Sequence, residues 1–135
     1  MDGCIFCKVI KGEIPCYKVY EDELFLAFLD INPLNLGHTL VIPKQHFQWV
    51  DEVEPYDQYW QLTRKLSQAI QKATNSVLVS KIVYGLGVPH AHIHLVPKYE
   101  KDDHIGGIHP NNIKTISSAE MTQIAQKISA CFSQI

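Results

Sequence analysis

The chain has 135 residues, 46% of them hydrophobic and 19% charged, which is typical of one compact domain with one core spanning 1–135. Twelve Lys and Arg against fourteen Asp and Glu give a formal net charge of -2, so we expect no broad basic surface for nucleic acid. The sequence shows no signal-peptide pattern and no run of about 18 apolar residues. We therefore expect a soluble, cytoplasmic protein without a nucleic-acid or membrane partner.

Short apolar runs separated by turn residues predict three strands in the first third of the chain, at Val19–Tyr20, Leu24–Leu29 and Thr39–Ile42. After Pro55, apolar residues recur at three- and four-residue steps, which predicts an amphipathic helix of about five turns. Strand-like composition returns from Val77 to Tyr84 and again from Val88 to Val96. Because Gly85-Leu86-Gly87 supplies a bend between these two segments, they could pair as antiparallel neighbours.

The last part of the chain has a loop pattern followed by a helix pattern. Asp102 to Asn112 is rich in Gly, Pro and Asn and predicts an irregular loop, in which His104 and His109 are expected to face solvent. The segment beginning at Ser117 has the form of a capping box and predicts a C-terminal helix over about 118–134. Strands in series, one long central helix and a C-terminal helix together predict an α+β domain with a mostly antiparallel sheet.

Three histidines, His90, His92 and His94, alternate with apolar residues. In a strand this spacing places all three on one face, about 7 Å apart, and the apolar residues on the other. Adjacent histidines could then share one ligand, or one could bind a metal while the next does chemistry. The spacing favours a functional face over three solvent-facing histidines but leaves both kinds of site open.

Cys4 and Cys7 form a second pattern, a cysteine pair separated by two residues. Such a pair can place two thiolates on one metal ion, but it needs two further ligands and is a weak signal by itself. Two reduced structural thiols are the main alternative. A redox disulfide is disfavoured because no βαβ pattern surrounds the pair.

The histidine run resembles a known family signature. His90-Ala91-His92-Ile93-His94-Leu95-Val96 is similar to the histidine-triad motif, His-φ-His-φ-His-φ-φ with φ apolar, of the HIT superfamily. Three further blocks resemble that family's blocks in their usual order, so that the likeness covers roughly residues 4 to 97: Cys4–Pro15, Leu29–Pro33 and Gly37–His46. Within the superfamily, the chain is most similar to the bacterial Hint-like branch.

The resemblance implies an α+β HIT-like domain that forms a homodimer and binds the AMP or GMP moiety of a purine nucleotide near the triad, with no organic cofactor. It also implies a nucleotide hydrolase or transferase in which His92 attacks phosphorus and forms a nucleotidyl-histidine intermediate, as a neutral imidazole can. His94 matches the family histidine that contacts the phosphate, and His38 matches the one that supports this pair. Asp30 and Ile31 match the segment that holds the ribose and the base.

One departure from the family concerns the leaving group. Many members carry Gly-Gln-Ser or Gly-Gln-Thr just before the triad, whereas this chain has Gly85-Leu86-Gly87, so Gly87 can offer substrate only backbone groups. The implied activity is cleavage of a nucleoside phosphoramidate or related adenylate. Three alternatives stay open: a dinucleoside polyphosphate hydrolase, a nucleotide-binding protein with little turnover, and a hydrolase whose three histidines bind a catalytic metal ion.

The resemblance also implies a metal site for the cysteine pair. Zinc-bearing members of the superfamily combine such a pair with the histidine of a Pro-Lys-x-His block and the first triad histidine. The corresponding ligands here are Cys4, Cys7, His46 and His90. A closed Cys2His2 set of this kind would hold a structural zinc ion and leave His92 free for chemistry.

Overall fold

The fold was obtained as a computed structural model that describes residues 3–135; the first two residues of the predicted 1–135 domain lie outside this range. Along the chain it contains a short helix, three strands, a 3-10 turn (Val50–Glu52), a long helix, two more strands and a last helix. The bounds are α1 Ile5–Ile10, β1 Lys18–Glu21, β2 Phe25–Leu29, β3 Thr39–Pro43, α2 Tyr56–Thr74, β4 Leu78–Ile82, β5 Ile93–Lys98 and α3 Ser118–Phe132.

All five strands form one antiparallel sheet in the order β1-β2-β3-β5-β4. The predicted α+β class with a long central helix and a C-terminal helix is therefore confirmed. β4 and β5 pair as antiparallel neighbours, as their sequences predicted. Among the described strands β4 lies at one edge of the sheet and β1 at the other.

Both faces of the central strands are covered. In β2, Phe25, Ala27 and Leu29 belong to the larger core, which packs the sheet against α2 and α3. The alternate residues Leu26 and Phe28 belong to a second core, which packs against α1 on the opposite face. All five β2 residues are buried, so α1 forms a layer of its own on the face that also carries His94.

The long helix α2 provides most of the helical side of the larger core. Its buried residues recur at the predicted three- and four-residue steps, from Tyr59 to Ala73. The Tyr59 hydroxyl donates a 2.6 Å hydrogen bond to the carbonyl oxygen of Val41, which fixes the helix to β3. Pro55 precedes the first helical residue as the N-cap, one position earlier than a first-turn proline.

The histidine segment differs from its prediction. Only His94 lies in β5, because the strand begins at Ile93, so the expectation that one strand carries all three histidines on one face is wrong. The stretch before Ile93 is fixed by other contacts, since the Ala91 N–H donates to the Phe47 carbonyl oxygen at 2.7 Å. His90, outside the ladder, is free to turn its side chain elsewhere.

The loop from Asp102 to Asn112 is irregular, as its composition predicted. His109 is exposed, but the prediction that His104 also faces solvent is wrong, because its side chain is completely buried. Both of its ring nitrogens are hydrogen-bonded within the protein. None of the helices between residues 3 and 135 combines the length and the apolar content needed to cross a bilayer.

Candidate active site

A cleft of about 600 Å³ opens on the face of the sheet that α1 covers. Its walls are mostly apolar and include Ile5, Phe6 and Val9 of α1 together with Leu40 of β3. Five of the sequence-predicted site residues line it: Asp30, Ile31, Gly87, His92 and His94. A concave apolar site with a few convergent polar groups is typical of small-molecule binding.

His92 is held in one tautomer by the backbone. Its Nδ1 lies 2.7 Å from the carbonyl oxygen of His90. Since a carbonyl can only accept, Nδ1 carries the proton and donates it, and the neutral ring keeps the lone pair of Nε2 free. The Phe6 ring contacts the imidazole edge to face at a centroid distance of 5.2 Å, which restricts its rotation. His92 thus has the geometry of an aimed nucleophile.

His38 and His94 form a directed hydrogen bond beside His92. The N–H of Leu34 donates to His38 Nδ1 at 3.0 Å, so a neutral His38 carries its proton on Nε2. That nitrogen lies 2.9 Å from His94 Nδ1 and donates to it, which leaves the His94 proton on Nε2. The His94 ring packs against His92 with centroids 5.0 Å apart, so His94 can present a donor next to the nucleophile.

Burial keeps both supporting histidines neutral. Burial, and after it the electrostatic influence of the neighbouring His94 and His104 rings, lowers the pKa of His38 to about 3. Burial, with a smaller contribution from His92, lowers the pKa of His94 to about 4. Both rings are uncharged at neutral pH, which agrees with the tautomers derived from their hydrogen bonds.

The Asp30 carboxylate lies close to this pair. Its Oδ2 is 3.6 Å from His38 Nε2 and 4.0 Å from His94 Nδ1, and its Oδ1 accepts the Asn32 N–H at 2.9 Å. Burial raises the pKa of Asp30, and the Asn32 N–H opposes that effect. Next to it the Ile31 side chain is 73% exposed at the cleft, so an acceptor and an apolar surface stand side by side.

The loop Gly85-Leu86-Gly87 forms part of the cleft wall. Gly87 has a φ of +83°, in the left-handed region that favours glycine, and a Cβ added there would meet open space. The positive φ, rather than a lack of space for a side chain, therefore explains why glycine is present at this position. The Leu86 side chain is 78% exposed, so an apolar group stands where many relatives in the resembled family carry glutamine.

A second cluster, formed by Cys4, Cys7, His46 and His90, has ligand atoms that all lie within 4.8 Å of one another. The sulfur-to-Nδ1 distances are 3.3 Å for Cys4 to His90, 3.3 Å for Cys7 to His46 and 3.5 Å for Cys7 to His90. Zn–S and Zn–N bonds of about 2.3 and 2.0–2.1 Å imply a tetrahedral edge of about 3.5 Å. The cluster therefore fits a tetrahedral zinc ion.

The tautomer of His90 also suits a metal ligand. Its Nε2 donates to the carbonyl oxygen of Pro43 at 2.8 Å, which leaves Nδ1 unprotonated and directed at the two sulfurs. A ligand histidine that donates its other N–H to a carbonyl is common in zinc sites. His90 therefore belongs to the cysteine cluster, away from His92 and His94.

This arrangement disfavours a catalytic metal shared by the three triad histidines, because the Nδ1 of His90 is directed at the cysteines. Asp30, His38 and His94 form another close group that could hold an ion. However, His38 accepts the Leu34 N–H at Nδ1, so its Nε2 carries a proton and has no lone pair for a metal. The contacts therefore support a hydrogen bond from His38 to His94 beside a carboxylate rather than a metal site.

Sequence patterns did not indicate several groups that shape the site. Tyr84 packs edge to face on His94 with centroids 5.1 Å apart, and Phe6 does the same on His92. The carbonyls of Pro43 and His90 select ring tautomers. The position of Phe6 between the two predicted cysteine ligands could have indicated that it lies near the site. The backbone carbonyl groups could not have been predicted, because any residue type supplies one.

The chain is similar to known proteins over most of its length. The family profile described as "HIT domain" matches residues 11–101. The "Protein hit" of Bacillus subtilis is 38% identical over 139 residues, covering 92% of this chain and 96% of that protein. The adenosine 5'-monophosphoramidase hnt1 of Schizosaccharomyces pombe is 38% identical over 132 residues, covering 95% and 97%.

Solved structures agree with the sequence relatives. A zinc-bound histidine triad family protein from Mycobacterium smegmatis superposes with a TM-score of 0.79 at 25% identity, covering 98% of this chain and 95% of that one. The region matched by the family profile contains the three triad histidines together with His38 and Asp30. From the profile, the relatives and the shared fold, we conclude that this chain belongs to the HIT family.

Proposed function

We propose that this protein is a nucleotide hydrolase or transferase of the histidine triad type that works through a nucleotidyl-histidine intermediate on His92. One observation carries the proposal: His92 donates Nδ1–H to the His90 carbonyl oxygen, and its ring lines the cleft with a free Nε2. Family membership supports it, because a relative that matches nearly the whole chain is named an adenosine 5'-monophosphoramidase.

The reaction takes place in two displacements at the α-phosphorus. In the first, the Nε2 lone pair of His92 forms an N–P bond while the bond from phosphorus to the leaving group breaks. In the second, water cleaves the N–P bond and releases the nucleoside monophosphate, which restores neutral His92. Because a phosphorylated imidazole is a good leaving group, the histidine divides one difficult step into two easier ones.

The neighbouring residues take the supporting roles. His94, with its proton on Nε2, donates to the phosphate and offsets its developing charge, and His38 fixes that proton by donating to His94 Nδ1. Asp30 accepts from the ribose hydroxyls and Ile31 packs on a purine base, so the substrate carries an AMP or GMP moiety. Gly87 contributes only backbone groups to the site.

The proposed leaving group comes from the family relatives, and the composition of the cleft bears on the alternatives. We propose a nucleoside phosphoramidate or a related adenylate, in line with the named relative. The exposed Leu86 offers no hydrogen bond to a leaving amine. Hydrolysis of dinucleoside polyphosphates, or nucleotide binding with little turnover, is the second candidate that this apolar residue favours.

We propose that Cys4, Cys7, His46 and His90 hold a structural zinc ion. The closed Cys2His2 set leaves no open coordination position for substrate, and the ion would tie α1 to the segment that carries His92. A HIT-family neighbour was solved with zinc bound. Phe6 of α1 contacts both His90 and His92, so the zinc site also stabilises the cleft wall.

We propose further that the protein is a cytoplasmic homodimer, without nucleic-acid or membrane partners, and that it pairs along the β4 edge. Exposed apolar side chains concentrate there: Val77, Leu78, Val83 and Tyr84. An apolar sheet edge of this kind is typical of strand-to-strand association.

The test of the catalytic proposal is substitution of His92. Replacing His92 with Ala should lower release of nucleoside monophosphate from adenosine and guanosine phosphoramidates by at least about 10³-fold, because the nucleophile is lost. Lys127→Ala, an exposed change on α3, should retain full activity. Dinucleoside polyphosphates in the same assay identify the leaving group. Turnover that survives in the His92 variant contradicts the proposal.

A further inference from the structure

His104 connects the loop 102–112 with the candidate active site. It is completely buried, although the loop around it is exposed. The N–H of His109 donates to its Nδ1 at 2.9 Å, so the neutral ring carries its proton on Nε2. That nitrogen donates to the carbonyl oxygen of Leu34 at 2.9 Å. Because both ring nitrogens are hydrogen-bonded, the His104 ring is fixed in one orientation and one tautomer.

Leu34 is the residue that selects the tautomer of His38. Its carbonyl accepts from His104 and its N–H donates to His38 Nδ1 at 3.0 Å. His38 then donates to His94 Nδ1 at 2.9 Å. The hydrogen bonds therefore all run in one direction, from the His109 backbone to His94, and each fixes where the next ring carries its proton.

The same loop fixes the position of Leu34 through Asp102. The Asn35 side chain donates to Asp102 Oδ2 at 3.0 Å and to the Pro97 carbonyl oxygen at 2.8 Å. Burial alone would raise the pKa of Asp102, but the Lys98 ammonium and the N–H donors around the carboxylate outweigh it and hold the pKa well below its usual value. Asp102 stays charged and anchors the loop. Among residues 3–135, His104 alone donates a side-chain hydrogen bond to the Leu34 carbonyl oxygen.

We infer that His104 is a positioning residue for catalysis, which holds the Leu34 backbone so that His38 is kept as the Nε2–H tautomer and His94 presents its own N–H to the phosphate. The inference rests on the proposed function only in its last step. The tautomer of His38 is a property of the free protein and can be measured without any substrate.

Two amide substitutions separate the two hydrogen bonds of His104. In His104→Gln, the amide nitrogen reaches the place of Nε2 and keeps the donor to Leu34. In His104→Asn, the amide oxygen takes the place of Nδ1 and keeps the acceptor for the His109 N–H, but the donor to Leu34 is lost. Each variant loses one buried hydrogen bond, so their costs in stability are matched.

The first readout is the ¹⁵N NMR spectrum of the histidine rings at neutral pH. Wild type and His104→Gln should both show His38 as a single Nε2–H tautomer, whereas His104→Asn should show a mixture. Mixed or Nδ1-protonated His38 in the wild type or in His104→Gln, or an unchanged single Nε2–H tautomer in His104→Asn, overturns the inference. The wild-type and His104→Gln spectra still test the tautomer assigned to His38 if His104→Asn does not fold.

The second readout is turnover of the nucleoside phosphoramidate. His104→Asn should lower kcat by about tenfold, the equivalent of about one hydrogen bond, with KM little changed. His104→Gln should have a kcat close to that of the wild type. Equal kcat values in the two variants overturn the positioning role. If the wild type shows no turnover, the proposed function fails, while the tautomer measurement still decides the arrangement at His38.

Discussion

Histidines with similar sequence surroundings acquire different roles from the backbone groups that they meet. His90 and His92 both donate to carbonyl oxygens, but through opposite ring nitrogens. The first therefore keeps Nδ1 free for the cysteines, and the second keeps Nε2 free for the cleft. His38 meets an N–H instead and becomes a donor through Nε2. A histidine's role in this site is thus decided by local backbone geometry.

At this scale we predict a dependence of stability on pH. The pKa values of His38 and His94 are lowered to about 3 and about 4 in the folded state, against about 6.5 when unfolded. The unfolded chain therefore binds more protons below pH 6.5, so the free energy of unfolding should fall as the pH drops from 6.5 towards 4. Denaturant titrations at several pH values measure this slope.

The variant His38→Gln shows how much of the pH dependence of the free energy of unfolding comes from His38. Each histidine contributes up to about 1.4 kcal/mol per pH unit, so the variant should lose about that much of the wild-type slope below pH 6.5. Any acid-induced loss of a metal affects both proteins alike. An unchanged slope in His38→Gln contradicts the neutral, buried state assigned to this ring.

At the scale of elements, α1 is a six-residue helix whose first turn carries two members of the cysteine cluster, Cys4 and Cys7. The Sγ of Cys4 accepts the Cys7 N–H at its start, and Phe6 and Val9 pack into the second core. A helix this short is marginal by itself. We therefore expect the proposed zinc ion to be its main support.

Removal of the metal should test this support. Cys7→Ser, or chelation of the wild type, should lower the free energy of unfolding by about 4 kcal/mol where free zinc is about 1,000 times its Kd. Because α1 lines the cleft, KM should rise while turnover at saturating substrate persists. Thermal unfolding, elemental analysis and steady-state kinetics measure these effects.

Cys131→Ser is the matched control, since Cys131 is half-buried on α3 and lies outside the cluster. It should keep the wild-type metal content and stability. Full loss of chemistry on chelation, in protein that remains folded, would instead indicate a catalytic ion. Equal stability of Cys7→Ser and wild type would show that no structural metal is bound.

Elements with a strong periodic pattern were predictable, and those defined by long-range contacts were not. The steps from Tyr59 to Ala73 indicated α2 because its pattern is local. By contrast, β5 begins later than the histidine alternation suggested, because the Ala91 N–H bonds to the Phe47 carbonyl oxygen instead of joining the sheet. The sequence did not predict α1 for the same reason, since its six residues are held by long-range contacts with β2, β3 and the cysteine cluster.

At the scale of the whole molecule, the sheet has one apolar edge at β4. We predict that Leu78→Glu converts the proposed homodimer into a monomer, because Leu78 is 46% exposed on that edge and a dimer would bury the added charge unpaired. Leu24→Glu is the matched control: Leu24 is 43% exposed beside the opposite part of the sheet, in the β1–β2 turn. Light scattering coupled to size exclusion measures the mass of each protein.

Wild type and Leu24→Glu should have twice the mass of the chain, and Leu78→Glu should have the mass of one chain. A monomeric wild type contradicts the proposed dimer. A Leu78→Glu variant that stays dimeric places the interface elsewhere on the surface.

The site as a whole was partly predictable. The resemblance identified polar residues that line the cleft and the four residues that form the cysteine cluster. It could do so because few other residue types could supply the same chemical groups at these positions. It did not indicate His104, because a histidine in a polar loop looks solvent-exposed until the fold places the Leu34 carbonyl beside it. Connections of this kind depend on contacts between residues some 70 positions apart.

The most direct test of the central claim is to find the covalent intermediate. Wild-type protein mixed with an excess of a nucleoside phosphoramidate and quenched with a denaturant under alkaline conditions, where a phosphorus–imidazole bond is retained, should gain the mass of one nucleotidyl group. Peptide mapping by mass spectrometry should place it on His92, and the His92→Ala variant should gain nothing. Rapid release of nucleoside monophosphate without such an adduct, or an adduct on another residue, would contradict this account.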